Sequence, residues 1–354
     1  MKALYRIGIV VLILVGAAGL ALATTRLAPG QEAASGTATA APASALDPWP
    51  VGTSVRVWSP PAGLSQEQIW PGDAPNLDGA GADPESVLIA ETPEALYGDR
   101  SEAVFNVTRP TMTVYPPKGR NTGAAVVVFP GGGFRALAIT LEGTEVCEWI
   151  TARGMTCILS KYRVPFSNHS WDPESRRIID PKPAPALQDA QRTIRLVRAR
   201  AAELGVDPDK IGVMGFSAGG YLVAQTSNIF EPEYTPIDAV DRISSRPDFA
   251  IAFFPGHLCR SGRLDPGIHV TARTPPTFLL QAWDDPVDPI CNSTLYARAL
   301  NEAEVPSEVH LFGKGGHAFA LRRDRSPDTV WPALLENWLV ETGVLTGRRN
   351  VHED

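Results

Sequence analysis

The sequence predicts an α/β fold with a mostly parallel central sheet and helices on both faces. Apolar, β-prone runs alternate with helix-compatible segments from residue 124 to about residue 340, the pattern of βαβ units. Ala124 to Phe129 is a continuous Val-rich run, as expected of a strand buried on both faces. Gly215-Phe216-Ser217-Ala218-Gly219 places a serine between two glycines, with the apolar residues Ile211, Val213 and Met214 ahead of it and Tyr221 to Thr226 behind. That is the pattern of a sharp strand-to-helix turn that lifts a serine hydroxyl clear of a sheet edge.

A first strand is expected at Thr111 to Tyr115. After the Val-rich strand come a helix over 141–153 and a strand from Met155 to Lys161. The clearest helix is Ala186 to Leu204, where Leu187, Ala190, Ile194, Val197, Ala201 and Leu204 recur at steps of three and four, and Gly205 closes it. Strands follow at Ile211–Met214, Phe249–Phe254 and Thr277–Gln281, then a helix at about Ser293–Ala303. A strand at Glu308–Phe312 and a helix at about Pro327–Thr342 finish the series, with Ser326 and Pro327 as its N-cap and first residue. Residues 49–109 are rich in Pro and Gly and read as an irregular wrap; Trp58 and Trp70 read as pins holding it to the core, a sugar-binding surface being the alternative. The 49–347 stretch is taken as one domain.

Ahead of it, Lys2 and Arg6, the apolar stretch Ile7 to Leu20 and Ala21-Leu22-Ala23 form an export signal over 1–23, with an uncleaved membrane anchor as the alternative. Residues 24–48 are Ala, Thr, Ser, Gly and Pro with few large apolar residues, too poor in apolar surface to offset the entropy of ordering, and read as a linker. Export permits disulfides among Cys147, Cys157, Cys259 and Cys291. Cys259 and Cys291 follow strands and are the candidate pair, against four free thiols. A net charge of −7 without any Lys/Arg run argues against a nucleic-acid partner.

An acyl-transfer serine needs a base, a group that orients the base, and donors for the oxyanion. With Ser217 as nucleophile, the base is His317, in Gly315-Gly316-His317 between the last strand and last helix; His310 lies within a strand and reads as structural. The orienting acid lies in Trp283-Asp284-Asp285-Pro286-Val287-Asp288. Asp284 comes first after the strand and is preferred, Asp285 follows, and Asp288 stands furthest out. Gly131-Gly132-Gly133 follows the Val-rich strand, so the amides of Gly132 and Gly133 would face that of Ala218 as an oxyanion hole. Glu142 reads as a helix-start carboxylate. The stretch Arg163 to Lys182 is too long for a plain connection and is expected to arch over the site.

Together these residues resemble the α/β-hydrolase superfamily, and within it the exported esterases that include acetylxylan and other carbohydrate acetyl esterases. The resemblance rests on Arg109-Pro110-Thr111-Met112-Thr113-Val114-Tyr115, Pro130-Gly131-Gly132-Gly133-Phe134, Lys161-Tyr162-Arg163 and Leu187-Gln188-Asp189-Ala190-Gln191-Arg192. It rests equally on Gly215-Phe216-Ser217-Ala218-Gly219-Gly220, Asp284-Asp285-Pro286-Val287 and Gly315-Gly316-His317. It implies an α/β-hydrolase fold and a Ser217, Asp284, His317 triad acting on short acyl esters, with no metal or organic cofactor. The expected partner is a small-molecule or carbohydrate ester. A lipase or peptidase of the same fold, or an exported binding protein on an inactive hydrolase fold, are the alternatives. In that superfamily the oxyanion loop often begins with His; here Pro130 stands in its place.

Overall fold

The computed structural model describes residues 53–76, 83–90, 101–164, 171–172, 177–178, 184–322, 327 and 329–345. The export signal, the linker and most of the arch between Arg163 and Lys182 lie outside the described residues. An eight-stranded sheet forms the centre. In chain order its strands are β1 (Gln66–Gln68), β2 (Thr111–Tyr115), β3 (Ala125–Phe129), β4 (Thr156–Lys161), β5 (Ile211–Phe216), β6 (Phe249–Phe253), β7 (Thr277–Ala282) and β8 (Ser307–Phe312). Across the sheet they run β8-β7-β6-β5-β3-β4-β2-β1. All neighbours from β4 through β8 pair in parallel, and β2 and β1 close one side antiparallel.

Every residue of β3, β4, β5, β6 and β7 is buried, which requires cover on both faces. The cover includes α1 (Glu145–Thr151), α2 (Ala184–Ala199), α3 (Ala218–Asn228), α4 (Cys291–Glu302) and α5 (Trp331–Glu341). Trp149 of α1 meets Trp331 of α5 at 5.5 Å between ring centroids. On α2, Leu187, Ala190, Ile194 and Val197 are all buried, so the three-and-four spacing marks the core face as expected. The strand order reverses around β3 and β5: the chain leaves β3 toward β4 on one side and returns to β5 on the other. A crevice opens where such connections part, at the carboxyl ends of the strands, and the glycine-rich loop after β3 and the serine turn after β5 both lie there.

Three expectations are corrected. Residues 49–109 are not an irregular wrap throughout. Besides β1, strands Thr53–Val55, Ser86–Ala90 and Ser101–Phe105 join Ala136–Leu137 in a four-stranded sheet, antiparallel at each pairing. The last helix begins at Trp331 rather than Pro327. The Pro327 carbonyl instead accepts from the amides of Val330 and Trp331, both at 3.0 Å, closing a turn ahead of the helix. The helix expected over 141–153 opens with a π-helical turn at Thr140–Thr144, a form common where a helix must redirect a side chain. The cysteines form two disulfides, Cys259–Cys291 as expected and also Cys147–Cys157.

Trp58 and Trp70 are buried at 2% and 3% exposure and pin the N-terminal segment to the core. The Trp70 indole donates to Asp189 Oδ1 at 2.8 Å. Asp189 also receives the Arg163 backbone amide and guanidinium at 2.9 Å. The same guanidinium donates to Gln188 Oε1 at 3.1 Å and to the Pro75 carbonyl at 2.5 Å. One buried carboxylate thus ties the N-terminal segment, the exit of β4 and α2 together. Breaking a buried pair by removing one partner strands the other charge at a cost of about 3–5 kcal/mol. Asp189→Ala is therefore expected to lose stability of that order in denaturant unfolding, whereas a loss below about 1 kcal/mol would contradict the role given to the pair.

Candidate active site

Ser217 follows β5 with φ +52° and ψ −115°, a conformation that costs a non-glycine residue of order 1–3 kcal/mol. The surrounding backbone enforces it. Ser217 N–H donates to the Phe253 carbonyl at 3.0 Å, and its own carbonyl accepts from Tyr221 and Gly256, both at 3.1 Å. The flanking glycines are steric necessities: a Cβ on Gly215 would lie 2.1 Å from the Gly219 carbonyl oxygen, and one on Gly219 would lie 1.9 Å from that of Phe129.

The hydroxyl so presented meets His317, whose Nε2 is 3.0 Å from Ser217 Oγ. The His317 ring packs edge-on against Phe254, centroids 4.8 Å apart. Its Nδ1 is 2.8 Å from Asp285 Oδ2. Asp285, not Asp284, is thus the acid on the histidine, which corrects the preference for Asp284. Asp284 Oδ1 instead accepts the amides of Gly315 and Gly316, each at 2.8 Å, and so holds the histidine loop by its backbone. The chain turns after β7, with Asp285 N–H on the Ala282 carbonyl at 3.3 Å. Asp285 is thereby fully buried beside the ring, and Asp284 stays one-third exposed. The turn, not proximity to the strand end, selects the acid. Asp288 is also at the site, with Oδ2 3.3 Å from Ser217 Oγ.

Opposite the serine, Gly132 and Gly133 have φ of +133° and +62°. The Gly132 carbonyl accepts from Arg135 and Ala136, which folds the loop back on itself. No acceptor among the described residues engages the amide of Gly132 or Gly133, and Ala218 stands at the first position of α3, where a helix amide has no internal partner. Those three amides are the donors available for an oxyanion.

The BD-FAE family matches residues 112–234. An acetylxylan esterase of Xylanibacter ruminicola is 26% identical over 223 residues, which cover 56% of this chain and 41% of that protein. The match thus spans about half or less of the length of the curated relatives. The crystal structure of an acetyl ester-xyloside bifunctional hydrolase from Caldicellulosiruptor lactoaceticus superposes with a TM-score of 0.62 at 29% identity, covering 79% of this chain and 97% of that one. Esterase 2 of Thermogutta terrifontis, phosphorylated by paraoxon, is 30% identical with a TM-score of 0.55, covering 68% of this chain and 92% of its own. The chain belongs to the α/β-hydrolase superfamily.

As an α/β-hydrolase it departs from the common pattern at Pro130, and the structure supplies other anchors for that loop. Tyr162 Oη donates to the Pro130 carbonyl at 2.5 Å. Gly131 N–H donates to Glu142 Oε2 at 2.7 Å, and the Gly131 carbonyl accepts from Ala138 at 2.9 Å. Glu142 does stand in the first turn of a helical segment, as read from the sequence, but the π-helical turn buries it at 4% exposure, where it takes the Gly131 amide. The only trace of this in sequence was a Glu-Gly pair nine residues past the glycine triplet. The close approach requires glycine at 131, since a Cβ there would lie 2.7 Å from Glu142 Oε2 and 3.0 Å from Ser217 Cβ. His257 lies next to the same loop, its ring stacked 5.6 Å from that of Phe134.

These carboxylates set the electrostatics of the site. Burial pushes Glu142 up to about 7, offset in part by His317 and the Gly131 amide. Burial likewise raises Asp288 to about 6, against the attraction of His317. For His317, burial disfavours the charged ring. The Asp285 hydrogen bond and the charges of Asp288, Asp285 and Glu142 outweigh it, and the pKa rises above its ordinary value. Followed by NMR, the His317 ring is expected to titrate above the usual ~6.5, and Asp285→Asn to bring the midpoint down. A wild-type midpoint below 6, or one indifferent to Asp285, would contradict this account of the field.

Proposed function

We propose that this α/β-hydrolase is a serine-dependent carboxylic-ester hydrolase that removes acetyl or other short acyl groups from carbohydrate esters. The observation that carries the reading is the unbroken hydrogen-bond line Ser217 Oγ, His317 Nε2, His317 Nδ1, Asp285 Oδ2 at 3.0 and 2.8 Å, raised on a strained strand-to-helix turn. The similarity to an acetylxylan esterase and to an acetyl ester-xyloside hydrolase supports the substrate class.

In the reaction, His317 Nε2 takes the Ser217 proton as Oγ attacks the ester carbonyl, and Asp285 holds the ring and stabilises the imidazolium. The amides of Gly132, Gly133 and Ala218 receive the oxyanion; one such donor is commonly worth ~10²–10³ in rate. His317 then protonates the departing alcohol, and water, activated by the same ring, clears the acyl group. No metal or organic cofactor enters these steps. The signal-like stretch 1–23 supports action outside the cytoplasm, as do the two disulfides, since such bonds persist in oxidising compartments.

Hydrolysis of p-nitrophenyl esters from C2 to C12, beside Ser217→Ala, tests the reading. Turnover is expected to be highest at C2 and lost in the variant. Because His317 must be neutral to act as base and its pKa is raised, kcat/KM should fall on the acid side with a midpoint above pH ~6.5. Rates rising with chain length would identify a lipase. No turnover at any length by folded protein would favour a binding protein.

A further inference from the structure

The turn that supplies Asp285 brings a second carboxylate to the site, and the acyl transfer described above makes no use of it. Asp288 Oδ2 lies 3.3 Å from Ser217 Oγ and 3.9 Å from His317 Nε2. It therefore flanks Nε2, the atom that hands its proton to the departing alcohol, while Asp285 occupies the far nitrogen. Its position is built, not incidental. Asp288 N–H donates to Asp285 Oδ1 at 3.0 Å, and its carbonyl accepts from Gln281 Nε2 at 2.7 Å. Gly256 makes room for it, since a Cβ there would lie 2.9 Å from Asp288 Oδ1.

This carboxylate has acceptor capacity to spare. Among the described residues no Lys or Arg pairs with it; the cation nearest to it is His317 itself. Ser217 has one hydroxyl proton for two acceptors, and Nε2 is the nearer. An ionised carboxylate offers about four lone-pair sites, more than these contacts occupy, so Asp288 can receive a further donor beside Nε2. The departing oxygen must come within hydrogen-bond reach of Nε2, and a hydroxyl on the next carbon of that alcohol then falls beside Asp288.

We propose that Asp288 is a specificity-determining residue whose carboxylate accepts a hydrogen bond from the hydroxyl adjacent to the scissile ester, selecting monoacyl esters of vicinal diols. Partially acylated sugars are the natural members of that class, and alcohols with an apolar group at that position lose the contact. This inference rests on the ester-hydrolase reading above and adds the feature of the alcohol that the site recognises. With Asp288 raised to about 6, the carboxylate is ionised and competent as an acceptor at neutral and alkaline pH.

The test compares two acetates of nearly equal shape, 2-hydroxyethyl acetate and n-propyl acetate, which differ in a hydroxyl against a methyl. Wild type, Asp288→Ala and Asp288→Asn are assayed at pH 8, with thermal melting and phosphonate labelling of Ser217 to show that each is folded. The readout is the ratio of the two kcat/KM values, in which any shared effect on Ser217 or His317 cancels. Wild type is expected to favour the hydroxyl ester, and Asp288→Ala to cut that preference by about tenfold or more, the value of a hydrogen bond to a charged group. Asp288→Asn, which keeps an acceptor oxygen without the charge, should fall between. A ratio near one in wild type, or a ratio that Asp288→Ala leaves unchanged while both rates drop, would overturn the inference and make Asp288 a support for the serine and histidine alone. Failure of wild type to hydrolyse either ester, with no phosphonate adduct on Ser217, would overturn the hydrolase reading and this inference with it.

Discussion

The structure turns on a backbone constraint at one residue. Ser217 is held at positive φ between β5 and α3, and nearly everything around it exists to make that conformation tolerable. Gly215 and Gly219 remove side chains that would strike the Gly219 and Phe129 carbonyls. The carbonyl of Phe253, at the end of the neighbouring strand, fixes the serine amide. The reversal of strand order at β3 and β5 brings the glycine loop and the serine turn to the same break in the sheet. The strain is local, and the fully buried strands on either side provide the rigidity that sustains it.

Around that serine the site concentrates negative charge on a single imidazole. Asp285 touches Nδ1, Asp288 flanks Nε2, and Glu142 lies beneath the oxyanion loop. They are not equivalent. Asp285 orients the ring, and Glu142 and Tyr162 hold a loop that begins with Pro130. Asp288 has neither task and sits beside Ser217 Oγ and His317 Nε2. Burial raises the pKa of both Glu142 and Asp288, so the field that favours the imidazolium weakens as the medium becomes acid. The same charge holds a proton on His317 to higher pH. On the proposed mechanism the site thereby trades activity in acid for a stronger base near and above neutrality.

How much of this was legible in the sequence follows from how local each signal is. The central strands β3 to β7 and α2 were legible because burial on both faces, and on one helical stripe, imposes patterns within a few residues. Ser217 and His317 were legible because both stand in glycine-rich turns whose composition has a steric cause. The choice between Asp284 and Asp285 was not, since adjacent carboxylates in one turn differ only in how the turn closes after β7. The contact of Glu142 with Gly131 was not legible for a related reason: a π-helical turn changes which way a side chain points, and no residue type marks it. The N-terminal strands were hidden because Pro and Gly signal turns and say little about the short strands between them. Arg163, Asp189 and Arg192 were noticed only as parts of a resemblance. Their role is structural, in ion pairs that join segments distant in sequence.

The central claim, that Ser217 is made nucleophilic by His317 oriented by Asp285, is tested most directly by the rate at which a phosphonate probe modifies the folded protein. The adduct is mapped by mass spectrometry in wild type, Asp285→Asn and Asp284→Asn. The expected adduct is on Ser217, formed about 10² times or more slowly when Asp285 is changed, because the ring then loses its orientation and tautomer, and nearly as fast as in wild type when Asp284 is changed. An adduct elsewhere, or a loss that follows Asp284 rather than Asp285, would contradict the account.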